Sequence, residues 1–138
     1  DERQYCSPGF NLPVGSLMRT MYGTYPEYHT SGDNKNFISF KAMEASIKKY
    51  LEIFKVIEYN DKYINTMPYG EPQLGKRGLY PTIGGKGLKK VIEAMMWLLN
   101  LSDGNHDLID IANKSKVNYN TLIEHINKLL DNGILTIK

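Results

Sequence analysis

The run Tyr25-Pro-Glu-Tyr-His29-Thr-Ser-Gly-Asp33-Asn34 sets an imidazole, two hydroxyls and a carboxylate close together in the chain. A neutral imidazole nitrogen, steadied by a nearby Thr or Asp, is how a protein presents a ligand to a metal ion. His29 is the candidate ligand, Thr30 and Asp33 are the groups that would orient it, and Tyr28 could line the adjoining pocket. A single loop histidine is also commonly a surface hydrogen-bonding residue, and by spacing alone both readings stand. His106 and His125 have no spacing that would share a metal with His29, and closed or catalytic zinc sites use about three or four ligands. His29 by itself is therefore expected to bind zinc weakly. Cys6 has no histidine placed beside it, so a nucleophile there is disfavoured. Gly75-Lys-Arg-Gly78 lacks the Gly-x-x-x-x-Gly-Lys-Ser/Thr spacing of a phosphate loop and is set aside.

Two longer stretches carry a family resemblance: Asp1-Glu-Arg-Gln-Tyr-Cys-Ser-Pro-Gly-Phe-Asn-Leu-Pro-Val-Gly-Ser-Leu-Met-Arg-Thr and Tyr22-Gly-Thr-Tyr-Pro-Glu-Tyr-His-Thr-Ser-Gly-Asp-Asn. They resemble a bacterial branch of the co-catalytic zinc aminopeptidases, large proteins associated with polysaccharide biosynthesis that end in a winged helix. The resemblance runs from Asp1 to Ile137. It implies that His29 holds one of two zinc ions, and that the other ligands and a glutamate general base lie upstream of Asp1. It also implies that Asp1 lies near the substrate amine, a role suited to a carboxylate facing an α-ammonium; a solvated charge is the alternative. Arg3 would bind a substrate carboxylate or oxyanion. Glu2 stands where the usual Ser-Asp-His of these aminopeptidases has its histidine, which puts ordinary aminopeptidase specificity in question.

Composition sets bounds. The chain has 138 residues and 17 basic against 15 acidic side chains, a balance that demands no acidic partner. Ten tyrosines and 41% hydrophobic residues indicate a packed chain, not a disordered one. One cysteine cannot form an internal disulfide, which fits a reducing, cytoplasmic setting. No run approaches the roughly 20 apolar residues of a membrane span. With the resemblance, the chain is expected to be the C-terminal piece of a longer protein.

The elements that must position these residues differ along the chain. Leu12-Pro-Val and Leu17-Met-Arg-Thr-Met are expected as short strands among Gly- and Pro-rich loops. Phe40, Met43, Ile47, Tyr50, Leu51, Phe54 and Ile57 recur at three and four, predicting an amphipathic helix over 40–59 with Ser39 as its N-cap. Its apolar stripe should bury against the sheet that carries His29, which has two strands at most here, so the first half should be marginal alone. Residues 88–101, 107–115 and 119–131 predict three helices, with a turn at Ser102-Asp-Gly-Asn and a strand at Ile134-Leu-Thr-Ile. This order resembles a winged helix.

The expected fold is an α/β fragment of a zinc-exopeptidase fold over 1–60, an ordered connector over 61–86, and a winged helix-turn-helix, α+β and mostly helical, over 87–138. Residues 86–138 hold seven Lys against six acids. The third helix is expected to face outward with Asn118, Tyr119, Asn120, Thr121, Glu124, His125 and Lys128. That face lacks an Arg for guanine and places Glu124 against phosphate, so protein contact is expected there rather than DNA. The expected function is the C-terminal portion of a zinc-dependent aminopeptidase-like hydrolase, inactive alone. Its partners would be a peptide or amine-bearing small molecule, the N-terminal part of the same protein and a second copy of the chain. The alternative is a non-catalytic regulatory or binding module carrying a winged helix on a degenerate peptidase scaffold.

Overall fold

The computed structural model describes residues 2–80 and 88–138. The chain divides into two compact units, Asp1–Leu51 and Glu52–Lys138.

The first unit is built from turns. A single helical turn, α1 (Glu2–Tyr5), is followed by loops closed over short distances: the Ser7 hydroxyl donates to Gln4 O (2.7 Å), the Asn11 amide to Ser7 O (2.7 Å) and the Val14 amide to Leu12 O (2.8 Å). The strands expected near Leu12–Val14 and Leu17–Met21 do not form. Pro13 has no N–H to donate, and the Val14 amide turns back two residues instead of reaching a partner. The helix α2 (Phe40–Tyr59) has the predicted bounds, with the Ser39 hydroxyl accepting from the Ala42 amide at 3.2 Å. Three long-range bonds tie the loop to it: Arg19 Nε donates to Ala42 O (3.1 Å) and to the Ser46 hydroxyl (2.9 Å), and the Tyr50 hydroxyl donates to Leu17 O (3.0 Å). No residue of α2 is buried. Phe40 is 68% exposed and Ile47 and Leu51 are each 61% exposed, so the apolar stripe is open. The sheet expected beneath it is absent from the described residues of this unit. Burying one such side chain stabilises by roughly 1.5–3 kcal/mol, so several kcal/mol of available burial go unrealised here.

The second unit has a true core. Strand β1 (Lys62–Asn65) lies at the centre of a three-stranded antiparallel sheet, between β2 (Asp103–Asp107) and β3 (Leu135–Ile137). Against it pack α3 (Leu88–Leu101), α4 (Leu108–Ser115) and α5 (Tyr119–Asp131). Ala94, Met95 and Leu98 of α3, Ile111 of α4 and Leu122, Ile126 and Leu129 of α5 are buried together. Asp107 caps α4 through a reciprocal capping box with Asp110, and Asn118 caps α5. Gly133, at φ +65, takes the left-handed conformation after α5 that a side chain would resist.

Two sequence expectations change here. The stretch 61–86, read as a connector, supplies the central strand, and its Tyr63, Leu74 and Leu79 are core residues. Of Ser102-Asp-Gly-Asn, read as a turn, Asp103, Gly104 and Asn105 are the first residues of β2. Burial pushes the phenols of Tyr63 and Tyr119 up to about 12, so both stay protonated as donors, Tyr63 to Tyr59 O (3.1 Å) and Tyr119 to Val56 O (2.9 Å).

Candidate functional site

His29 sits in a chain of tight turns, not at a strand end. Its own backbone is left-handed (φ 57), and its ring is exposed and stacked on Tyr28 with centroids 4.0 Å apart. Such a φ is uncommon outside glycine, with His among the residues that tolerate it. The Thr30 hydroxyl holds the turn from both sides, donating to Glu27 O (2.9 Å) and accepting from the Gly32 amide (3.1 Å). Asp33 enters the loop through its backbone, its amide donating to Thr30 O at 3.2 Å. Tyr28 is half-buried. It stacks on Tyr22 at 6.0 Å and meets Tyr25 edge-on at 5.8 Å, while Tyr25 stacks on Phe37 at 5.6 Å. A run of rings therefore backs the imidazole.

Other sequence candidates lie apart from it or change character. Arg3 is exposed on α1; Asp1 lies outside the described residues. The Cys6 thiol donates to Leu12 O at 3.2 Å. Among the described residues no three His, Cys, Asp or Glu side chains come together as a metal site. Among the described residues this loop thus offers a metal ion one exposed imidazole, a single donor and not a site. One residue escaped the sequence reading: Arg19, the only charged side chain between Arg3 and Glu27. That isolation was the available signal, because an unpaired cation in an aromatic and apolar loop needs a partner.

His125 does not face outward. It is 3% exposed, with Nδ1 2.7 Å from Thr121 O. A carbonyl only accepts, so Nδ1 is the donor, and Nε2 is buried with no described partner. Tyr119 is likewise half-buried through its bond to Val56. The exposed residues of α5 reduce to Asn120, Glu124, Asn127, Lys128 and Asp131, two acids against one cation. Nearby, backbone N–H groups of Asn105 and His106 hold the Asp103 carboxyl below the usual carboxylate range. His106 bridges Asp103 (3.1 Å) and Lys114 Nζ (2.7 Å), which draws that cation toward the protein itself.

A winged helix-turn-helix family model matches residues 61–137, more than half of the chain, starting one residue before β1. The chain belongs to the winged helix-turn-helix family. A domain of unknown function, DUF4910, matches residues 1–60. Outside the winged helix the likeness continues. Over 120 residues the chain is 52% identical to a Clostridium acetobutylicum protein named for polysaccharide biosynthesis with an aminopeptidase-like domain, covering 86% of this chain. A crystal structure named as a peptidase from the same organism superposes on the whole chain with a TM-score of 0.79 at 42% identity. The chain spans 27% of the first relative's length and 30% of the second's. The resemblance read from the two N-terminal stretches and the winged helix is met by these relatives. No helix among the described residues is long and apolar enough to cross a membrane.

Proposed function

We propose that this chain is the C-terminal portion of a zinc-dependent aminopeptidase-like hydrolase, with His29 as one metal ligand. The observation that carries the reading is identity of 52% to an aminopeptidase-like relative combined with an exposed imidazole pinned in a hydroxyl-braced loop. Thr30 fixes the turn on which the ring stands, Tyr28 backs the ring, and Asp33 closes the turn through its amide. Arg3 is assigned to a substrate carboxylate or oxyanion, and Asp1 to the substrate amine. When bound, zinc would supply a polarised water for attack on a carbonyl. Its remaining ligands and the general base would come from sequence beyond this chain. The open apolar stripe of α2 fits the same reading, because a longer protein would provide the layer it lacks.

The test is metal content. In the full-length protein, His29→Ala is expected to lower bound zinc and abolish hydrolysis of amine-bearing substrates, while the 138-residue chain alone binds zinc weakly. Unchanged zinc in His29→Ala would remove His29 from the site.

The winged helix is assigned to protein contact. Lys128 is outnumbered by Glu124 and Asp131 on the exposed face of α5, and nonspecific DNA affinity depends on phosphate neutralisation. Duplex DNA at about 0.15 M salt, which screens charges beyond roughly 8 Å, is expected to bind residues 52–138 only weakly. Sequence-selective binding tighter than about micromolar, near the strong end of nonspecific affinity, would make the unit a DNA reader instead.

A further inference from the structure

The first unit holds a groove of about 400 Å³ between its loops and the start of α2, walled by Tyr25, Phe37, Ile38 and Met43. Arg19 and Ser46 also line it. Arg19 Nε donates to Ala42 O (3.1 Å) and to the Ser46 hydroxyl (2.9 Å), which fixes the plane of the guanidinium on the helix. Its two terminal nitrogens make no hydrogen bond to a described residue. A guanidinium held by Nε alone keeps a pair of parallel N–H donors for a carboxylate. The first turn of α2 lies beside it, and the positive end of the helix dipole favours an anion there. Apart from Thr20 and Ser39 the remaining walls are apolar, so the groove joins a fixed cation to a surface that is mostly hydrocarbon and aromatic ring.

We propose that this groove binds an apolar carboxylic acid, with Arg19 taking the carboxylate and Tyr25, Phe37, Ile38 and Met43 taking its apolar body. The charge of Arg19 and the character of the walls select this class together: an inorganic anion leaves the walls unused, and a neutral hydrocarbon leaves the guanidinium unpaired. Two sources share that chemistry, a free small acid and the C-terminus of a peptide ending in an apolar residue. The site does not depend on zinc or on His29.

The test is calorimetric titration of the full-length protein with 3-phenylpropionate, its neutral isostere 3-phenylpropanamide, and acetate. A small ligand at a shallow groove is expected to bind in the millimolar range. The acid should bind at least about tenfold more tightly than the amide, as loss of one charge-assisted contact requires, and more tightly than acetate. Arg19→Gln should weaken the acid by a similar factor and leave the amide unchanged. Equal affinity for acid and amide, an unaltered affinity in Arg19→Gln, or no saturable binding of the acid at about ten times the expected millimolar range would overturn the proposal. The acid–amide comparison needs no variant, so it decides even where Arg19→Gln folds poorly. N-acetyl-Ala-Ala-Phe and its C-terminal amide separate the sources: a peptide acid tighter than 3-phenylpropionate supports a peptide end, and the reverse supports a free acid.

Discussion

Helices α2 and α5 are both amphipathic in sequence, yet they meet opposite fates. All 20 residues of α2 are at least partly exposed, whereas five of the 13 residues of α5, Leu122, Ile123, His125, Ile126 and Leu129, are buried. The difference lies not in the helices but in what their units can place against them. Around α5 stand two further helices and a sheet. Around the first part of α2, the described residues of its unit form loops and the single turn α1. An apolar stripe therefore announces that a partner is needed without saying whether the same segment supplies it.

Truncation should produce the largest effect. Residues 52–138 are expected to unfold in a single cooperative thermal transition. Residues 87–138 are expected to show none, because removal of β1 separates β2 from β3 and takes Tyr63, Leu74 and Leu79 from the core. Residues 1–51 alone are expected to lack a cooperative transition as well. A sharp transition for 87–138, followed by circular dichroism, would break the contrast, because the winged helix would then be complete without its central strand.

Point substitutions sharpen it on a smaller scale. Leu129→Ala, at a fully buried position, should cost about 2–5 kcal/mol in the 138-residue chain. Ile47→Ala, at a position 61% exposed, should cost no more than about 0.5 kcal/mol. Urea midpoints of the two variants provide the check. If Ile47→Ala costs as much as Leu129→Ala in the full-length protein but not here, the stripe of α2 is covered by sequence beyond this chain.

The helices were legible because each repeats its apolar spacing over several turns and begins at a capping residue, as at Ser39 and Asn118. β1 was not. Lys62-Tyr-Ile-Asn is four residues long, shows a single buried side chain, and gains its identity only from partners about 40 and 70 residues away. The surrounding Pro and Gly then make the whole stretch read as linker. The inward turn of His125 was hidden for a related reason. Its polarity suggests solvent, and only the contacts made by Leu122, Ile126 and Leu129 on the same side reveal that the face is closed. At the candidate site the residue types of the His29 loop could be read, and so could the need to brace it. The left-handed backbone and the stacking on Tyr28 could not, since both arise from turns that no periodicity encodes. Arg19 was passed over because its value lies in Ala42 and Ser46, more than 20 positions away.

The pairing of β1 with β3 also sets how the second unit responds to load. The Lys138 amide donates to Lys62 O at 2.9 Å, so the first residue of the central strand and the last residue of the chain are hydrogen-bonded neighbours. A force pulling those two points apart meets the ladder one rung at a time, opening it like a zipper instead of shearing all rungs together. A body whose interior is tightly packed is thus mechanically weak along this one direction, and the path of the chain, not the strength of its core, decides where it would first give way.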